Sequence, residues 1–268
     1  MKVFFSGVTT HCRAPELGSL GVKNFLVSYE NPANVEDGAG WCAKAAPGSS
    51  MMVDSGAFSA WSIGKPVILS EYIEFCKDFI AKWSGKLTNI YIVGLDVIPG
   101  ERGRQPTPKE CEDSARQGWE NSLEMVKAGL TPIPIFHRGE NFKWLDLMAS
   151  RFEYIGIAPK VDVSVKVKME WLKRVFSVIK ANNKTHGFAV TSKRLMEEFP
   201  WFSVDSSSWL GPQRWGCPAF GKDFESLGLH SRVKSNVSYL IWNGVKNILA
   251  FERKCTGLWA ARGVEWDD

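Results

Sequence analysis

Eight short runs of apolar, β-branched or aromatic residues, separated by stretches with helical spacing, set the main constraint on how this chain folds. The runs are Val3 to Ser6, Phe25 to Tyr29, Met51 to Val53, Ile90 to Leu95, Pro132 to Phe136, Tyr154 to Ile157, His186 to Val190 and Trp201 to Val204. Between them, residues 70–83, 107–128, 141–150 and 168–181 carry apolar positions three and four apart, as a helix with one buried face requires. Thr107 before Pro108, with Glu110 close behind, marks a helix start, because proline's missing N–H costs nothing in the first turn. Strands that alternate with helices pair in parallel through right-handed crossovers. Eight such units in 268 residues predict an α/β fold, a single (β/α)8 TIM-type barrel domain over residues 1–268. A helix from about residue 233 to 253 is expected as a C-terminal helical extension that closes the barrel. The alternative is a doubly wound open sheet, but no glycine-rich phosphate-binding turn follows the first run.

Three aspartates stand where an apolar run gives way to small polar residues: Asp54, Asp96 and Asp205. In a parallel β/α architecture the C-terminal strand edge is where chemistry collects. One such aspartate could merely cap the next helix. Three from separate strands point to a shared carboxylate site. Two carboxylates facing a glycosidic carbon divide its cleavage between a nucleophile and a group that protonates the leaving atom and later takes a proton back. A third could accept hydrogen bonds from the adjacent N–H groups of guanine.

The formal net charge of +4 permits a nucleic-acid partner without demanding one. The six cysteines are scattered, with no pair at zinc-knuckle or redox spacing, which fits a reduced, cytoplasmic protein. No signal-peptide pattern opens the chain and no apolar stretch is long enough to span a bilayer, so a soluble protein with no membrane partner is expected.

Asp54-Ser55-Gly56-Ala57-Phe58 resembles the Asp-Ser-Gly-Gly-aromatic motif of the tRNA-guanine transglycosylases. Gly156-Ile157-Ala158 resembles that family's Gly-Leu-Ala base-contacting strand, and Val204-Asp205 falls at the strand that carries its aspartate nucleophile. Closer still are the DpdA-like DNA 7-deazaguanine transglycosylases of phages and bacteria, on Phe136-His137-Arg138-Gly139-Glu140, Val204-Asp205-Ser206-Ser207-Ser208-Trp209 and the segment from Leu258 to Val264.

The resemblance implies Asp205 as nucleophile on ribose C1′, Asp54 as general acid and base, and Asp96 as the carboxylate that reads the base edge. Phe58 would stack on the base, with Ser55, Gly56, His137 and Gly156 around it. Arg102 and Arg104 in the loop 99–105, together with Arg138, Lys160, Lys193 and Arg194, are expected at phosphates, and Trp209 and Trp215 are candidates for stacking. The implied activity exchanges guanine in DNA for a free 7-deazaguanine base, such as 7-cyano-7-deazaguanine, through a covalent aspartyl-sugar intermediate. One N-glycosidic bond replaces another, so no cofactor is expected.

The chain departs from the tRNA-modifying enzymes in lacking their Cys-x-Cys-x-x-Cys and distant His zinc site. Only Cys217, His230 and Cys255 follow Asp205, so no metal is expected. The usual Gln-Gly dipeptide of the fifth strand is replaced by Arg138-Gly139. Three rival functions stay open: a tRNA-guanine transglycosylase, a non-catalytic nucleic-acid-binding barrel subunit, and an unrelated β/α-barrel hydrolase acting on a sugar. The need for a partner protein is also open.

Overall fold

The structure, a computed structural model, describes residues 1–7, 14–30, 32–101, 103–159, 163–180, 182–190, 192–211 and 237–266. Its strands are β1 (Lys2–Ser6), β2 (Asn24–Ser28), β3 (Ser50–Asp54), β4 (Asn89–Val93), β5 (Pro132–Ile133), β6 (Ile135–His137), β7 (Tyr154–Ala158), β8 (Lys184–Gly187) and β9 (Ser203–Ser206). They form one sheet in the order β5-β4-β3-β2-β1-β9-β8-β7-β6, every pairing parallel. β5 and β6 are separated only by Pro134, so the two ends of that order are halves of one barrel strand. Proline has no N–H to give the ladder and splits it there. The seam still closes, because Gly94 N donates to Ile133 O and Gly156 N to Pro134 O, both at 2.8 Å. The result is the expected eight-stranded α/β barrel.

Strand residues alternate between two apolar layers, since successive side chains point to opposite faces. Phe4, Leu26, Met52, Val93, Ile133 and Ile135 fill the barrel interior. Their neighbours Val3, Phe5, Phe25, Val27, Met51, Val53 and Ile92 join the layer beneath the helices. Burial on both faces explains why the strands read as nearly continuous apolar runs.

The helices are α1 (Ala14–Ser19), α2 (Pro32–Ala45), α3 (Ala57–Ile63), α4 (Leu69–Trp83), α5 (Pro108–Lys127), α6 (Phe142–Arg151), α7 (Val165–Val178), α8 (Lys193–Glu198) and α9 (Val237–Ala260). In α4 the buried side chains are Tyr72, Cys76, Phe79 and Trp83, the single stripe expected from spacing. α5 begins with a complete capping box: Glu110 N donates to Thr107 Oγ1 at 3.2 Å, and Thr107 N donates to Glu110 Oε2 at 2.7 Å. At about 36 Å long, α9 spans the barrel's height. It lies between α8 and α1, tied by Lys254 to Glu197 at 2.6 Å and by Trp242 Nε1 donating to Glu16. The expected C-terminal helical extension is thus the member that completes the helical ring.

Two of the strand ends that differ from expectation shape the barrel mouth. β8 ends at Gly187 rather than Val190, and β9 runs to Ser206, so Asp205 lies within the strand rather than just past it. Phe188 and Val190 are apolar because they plug the barrel top, not because they extend a ladder. Phe188 packs against the interior cluster, and Val190 lies under Gly187 with the helix-side layer.

Trp209 corrects the sequence expectation outright. Its ring is fully buried against Phe5, with Nε1 donating to Ser6 O at 2.9 Å, so it has no face for a base. Trp215 lies outside the described residues. Trp209→Ala is expected to lower unfolding free energy by about 3–5 kcal/mol in denaturant titration, as for other buried aromatics.

Candidate active site

Because inward positions recur every second residue, the apolar interior layer of a strand is followed two residues later by another inward side chain. Asp54 follows Met52 in this way, His137 follows Ile135, and Asp205 follows Ser203. The register confirms the shared face: Phe4 pairs with Asp205, Ser28 with Asp54, and His137 with Ala158. Asp96 stands three residues beyond the end of β4. The expected three carboxylates therefore meet at the C-terminal mouth of one barrel.

The Asp54 carboxyl is pushed up to about 7, first by burial, then by the nearby charges of Asp96 and, more weakly, Asp205. Hydrogen bonds from Gly56 N, at 3.2 Å to Oδ2, and from the Ser28 hydroxyl oppose the rise without cancelling it. Gly56 has φ +74°, and a Cβ there would stand 2.9 Å from Glu30 N and 3.1 Å from Ser28 Oγ. Both the backbone angle and the space demand glycine. Its N–H is thereby aimed back at Asp54. Ser55 turns the other way and donates from Oγ to Asp96 Oδ1 at 3.1 Å.

Asp96 Oδ2 lies 2.9 Å from His137 Nε2, and His137 Nδ1 lies 3.0 Å from Glu140 Oε1. Glu140 is buried, and its second oxygen accepts the His137 backbone N–H at 3.0 Å. Burial alone would push the imidazole down, but Glu140 and Asp96 outweigh it and hold it up at about 10. At neutral pH His137 is therefore an imidazolium that donates to both carboxylates. The sequence motif around His137 contains Glu140 but assigns it no role. Its position three residues after a strand-end histidine was the available signal.

Asp205 Oδ1 accepts the Ala189 N–H at 2.6 Å. Ala189 has φ +52°, a left-handed conformation uncommon for a residue with a Cβ, and it directs this N–H into the mouth. No sequence signal marks a backbone group in such a turn. Behind Asp205, the fully buried His186 places Nε2 3.7 Å from Oδ1 and Nδ1 2.6 Å from Ser203 Oγ.

At the rim, Phe58 is 61% exposed on the first turn of α3. It leans on Trp61, whose Nε1 donates to Gly100 O at 2.8 Å. Gly156 serves a different purpose from the expected base contact. A Cβ at that position would lie 2.5 Å from the Phe188 ring, so the glycine makes room for the plug rather than leaving an open strand face.

Arg104, expected at phosphates, is engaged within its own loop. It makes a two-pronged pair with Glu110 and approaches Glu101 at 3.5 Å, bracing its own loop, and it draws Glu110 down to about 2. Arg102 and Lys160 lie outside the described residues, as do Cys217 and His230. Cys255 is a buried side chain of α9. Lys193 sits partly buried with its ammonium 5.8 Å from the Phe251 ring centre, whereas Arg194 is exposed on the same short helix. Arg138 lines a cavity of about 460 Å³ with Glu140, Phe142, Trp171 and Arg174, beside the His137 turn. Neither Arg138 nor Arg174 is in an ion pair among the described residues. Among the described residues no group of three or more His, Cys, Asp or Glu could hold a metal ion, and no helix is long and apolar enough to cross a membrane.

The Asp54 shift sets a pH dependence of stability. The folded chain holds this proton more tightly than the unfolded chain, so the group favours folding at low pH. That contribution is lost as pH rises from about 4 through about 7. Asp54→Asn keeps the Gly56 acceptor and cannot ionise. Relative to wild type it is expected to be stabilised at pH 8 compared with pH 5, by about 2.5 kcal/mol, in paired denaturant titrations. Glu252, raised in the same way at the other end of the barrel, is common to both proteins and drops out of the difference.

No protein-family model matches the sequence, and no curated protein matches it. Among solved structures, the chain is similar to a candidate fructose-1,6-biphosphate aldolase from Coccidioides immitis, with 12% identity and a TM-score of 0.39 over 96% of this chain and 92% of that one.

Proposed function

We propose that the protein is an enzyme, a nucleic-acid guanine transglycosylase that exchanges guanine in DNA for a free 7-deazaguanine base. The observation that carries this reading is the unequal state of two carboxyl groups at one barrel mouth. Asp54 keeps its proton up to about pH 7, while Asp205 Oδ1 is fixed by a backbone N–H and Oδ2 has no hydrogen-bond partner among the described residues. Cleavage of an N-glycosidic bond needs such a pair: an acid for the departing base and an oxygen nucleophile for the sugar.

Asp205 Oδ2 attacks C1′ as Asp54 protonates guanine, leaving a covalent aspartyl-sugar and an ionised Asp54. The incoming base then gives its proton to Asp54 and displaces Asp205. Both directions use the same two groups, and no redox or energy cofactor enters. Asp96 suits the base edge because each of its oxygens accepts one hydrogen bond, from Ser55 and from His137, and a carboxylate has about four acceptor positions. Two remain for adjacent N–H donors of guanine. Phe58 offers the exposed ring, and the cavity with Arg138 and Arg174 offers unpaired positive charge for a phosphate backbone. The target base must leave its stack to reach the mouth. DNA is favoured over tRNA by the resemblance of the Val204 to Trp209 and Phe136 to Glu140 segments to the DNA-modifying group.

The test is incorporation of labelled 7-cyano-7-deazaguanine into DNA and into tRNA by wild-type protein and Asp205→Ala. Label is expected in DNA, with loss of at least about 10⁴-fold in the variant. Label in tRNA alone would move the polymer and keep the chemistry. Label in neither would refute the exchange and favour a binding subunit or a sugar hydrolase. In single turnover, formation of the covalent adduct is expected to fall about tenfold per pH unit above about 7, as Asp54 loses its proton.

A further inference from the structure

A buried polar chain lies behind Asp205. Tyr154 on β7, His186 on β8 and Ser203 on β9 face the barrel interior on three neighbouring strands, with His186 in register with both Gly156 and Ser203. The Tyr154 hydroxyl is hydrogen-bonded to Ser203 Oγ, and Ser203 Oγ lies 2.6 Å from His186 Nδ1. His186 is fully buried between the Phe4 and Phe188 rings, and its Nε2 has no hydrogen-bond partner. That nitrogen stands 3.7 Å from Asp205 Oδ1.

Counting protons fixes the direction of the chain. A buried phenol must place its single O–H, and Ser203 Oγ is the partner Tyr154 has. Ser203 then keeps its own proton for His186 Nδ1, which must accept. A neutral imidazole that accepts at Nδ1 carries its proton on Nε2. The reverse arrangement would strand the Tyr154 proton and turn a bare nitrogen lone pair toward a carboxylate.

We infer that His186 is a positioning residue of the exchange, holding an N–H in reserve for the charge that returns to Asp205 when the incoming base displaces it. This rests on the transglycosylase reading. In the adduct Oδ2 is bonded to C1′, and Oδ1 is a neutral ester oxygen that still faces the Ala189 N–H. As the C1′–Oδ2 bond breaks, its electron pair returns to the carboxylate. The bond from C1′ to the new base forms, and that base's proton passes to Asp54. His186 Nε2–H, 3.7 Å from Oδ1, meets that charge across the gap as an oriented dipole, beside the direct donor Ala189. Donors that strengthen with developing charge lower the barrier. The same donor also stabilises the resting carboxylate, so it hastens release of the sugar and does nothing to hasten attack.

Nitrogen NMR of the full chain, with His186 assigned by its loss in His186→Asn, reads the tautomer directly. A protonated Nε2 and a bare Nδ1 are expected, and the reverse overturns the inference whatever reaction the protein catalyses. The half-reactions are then separated with a labelled DNA oligonucleotide: adduct formation without free base, and its resolution when 7-cyano-7-deazaguanine is added. His186→Asn can replace Nδ1 only. It is expected to form the adduct at least as fast as wild type and resolve it about 10²-fold more slowly. His186→Gln returns an N–H to the Nε2 position and is expected to recover resolution. Equal slowing of both half-reactions, or no change in either, overturns the role. A wild-type protein that forms no adduct on DNA or tRNA overturns the exchange itself and this role with it.

Discussion

Four carboxyl groups at the mouth of one barrel repel one another, and the structure around them is arranged to answer that repulsion. Asp54, Asp96, Glu140 and Asp205 are all at least partly withdrawn from water, where charges interact strongly and ionisation is costly. The chain uses three different answers. Asp54 keeps its proton to about pH 7. Asp96 and Glu140 share one imidazolium between them. Asp205 is met by a backbone N–H from a left-handed turn. None of these answers could be exchanged for another without changing which group carries a proton.

Each answer depends on a local backbone shape. Gly56 must be left-handed for its N–H to reach Asp54, and the space it occupies is already bounded by Glu30 and Ser28. The turn after His137 returns Glu140 to bond both the ring and the main chain of the same histidine, which fixes the ring against Asp96. The break after Gly187 frees residues 188–190 to do two tasks at once. Phe188 seals the interior over Gly156, and the next residue directs its N–H at Asp205. A strand that continued to Val190 would have spent that N–H on a neighbouring ladder.

These dependencies explain how much could be read beforehand. The alternation of runs and stripes was legible because every barrel strand buries both faces, and Asp54, Asp96 and Asp205 were legible because each interrupts an apolar run at a strand's end. The Thr107 to Glu110 cap was legible because its chemistry is local. Trp209 was not, since an indole after a strand looks the same whether it packs on Phe5 or waits for a base. The partner of Arg104 was not legible for a related reason: a charge in a loop finds its partner through the loop's path, here Glu110, and composition carries no path. Ala189 could not be found at all, because the acting group is an N–H that every residue but proline possesses.

The geometry of the mouth also limits how a flat ligand can approach. Phe188 fills the space over Gly156, so the β7 side of the mouth offers an aromatic edge rather than open backbone. On the opposite side, β3 ends in Asp54 and passes through Gly56 into α3, where Phe58 stands clear of the core. A base entering from that side would meet the exposed Phe58 ring and the Asp96 carboxylate held by Ser55. Recognition would then rest on β3 and β4 together, with β7 acting as the stop. In that arrangement the missing Gln-Gly dipeptide of the fifth strand is no deficit. Arg138-Gly139 stands there, and the neighbouring His137 is hydrogen-bonded to Asp96, so under the proposed exchange the carboxylate rather than the fifth strand would set which edge is accepted.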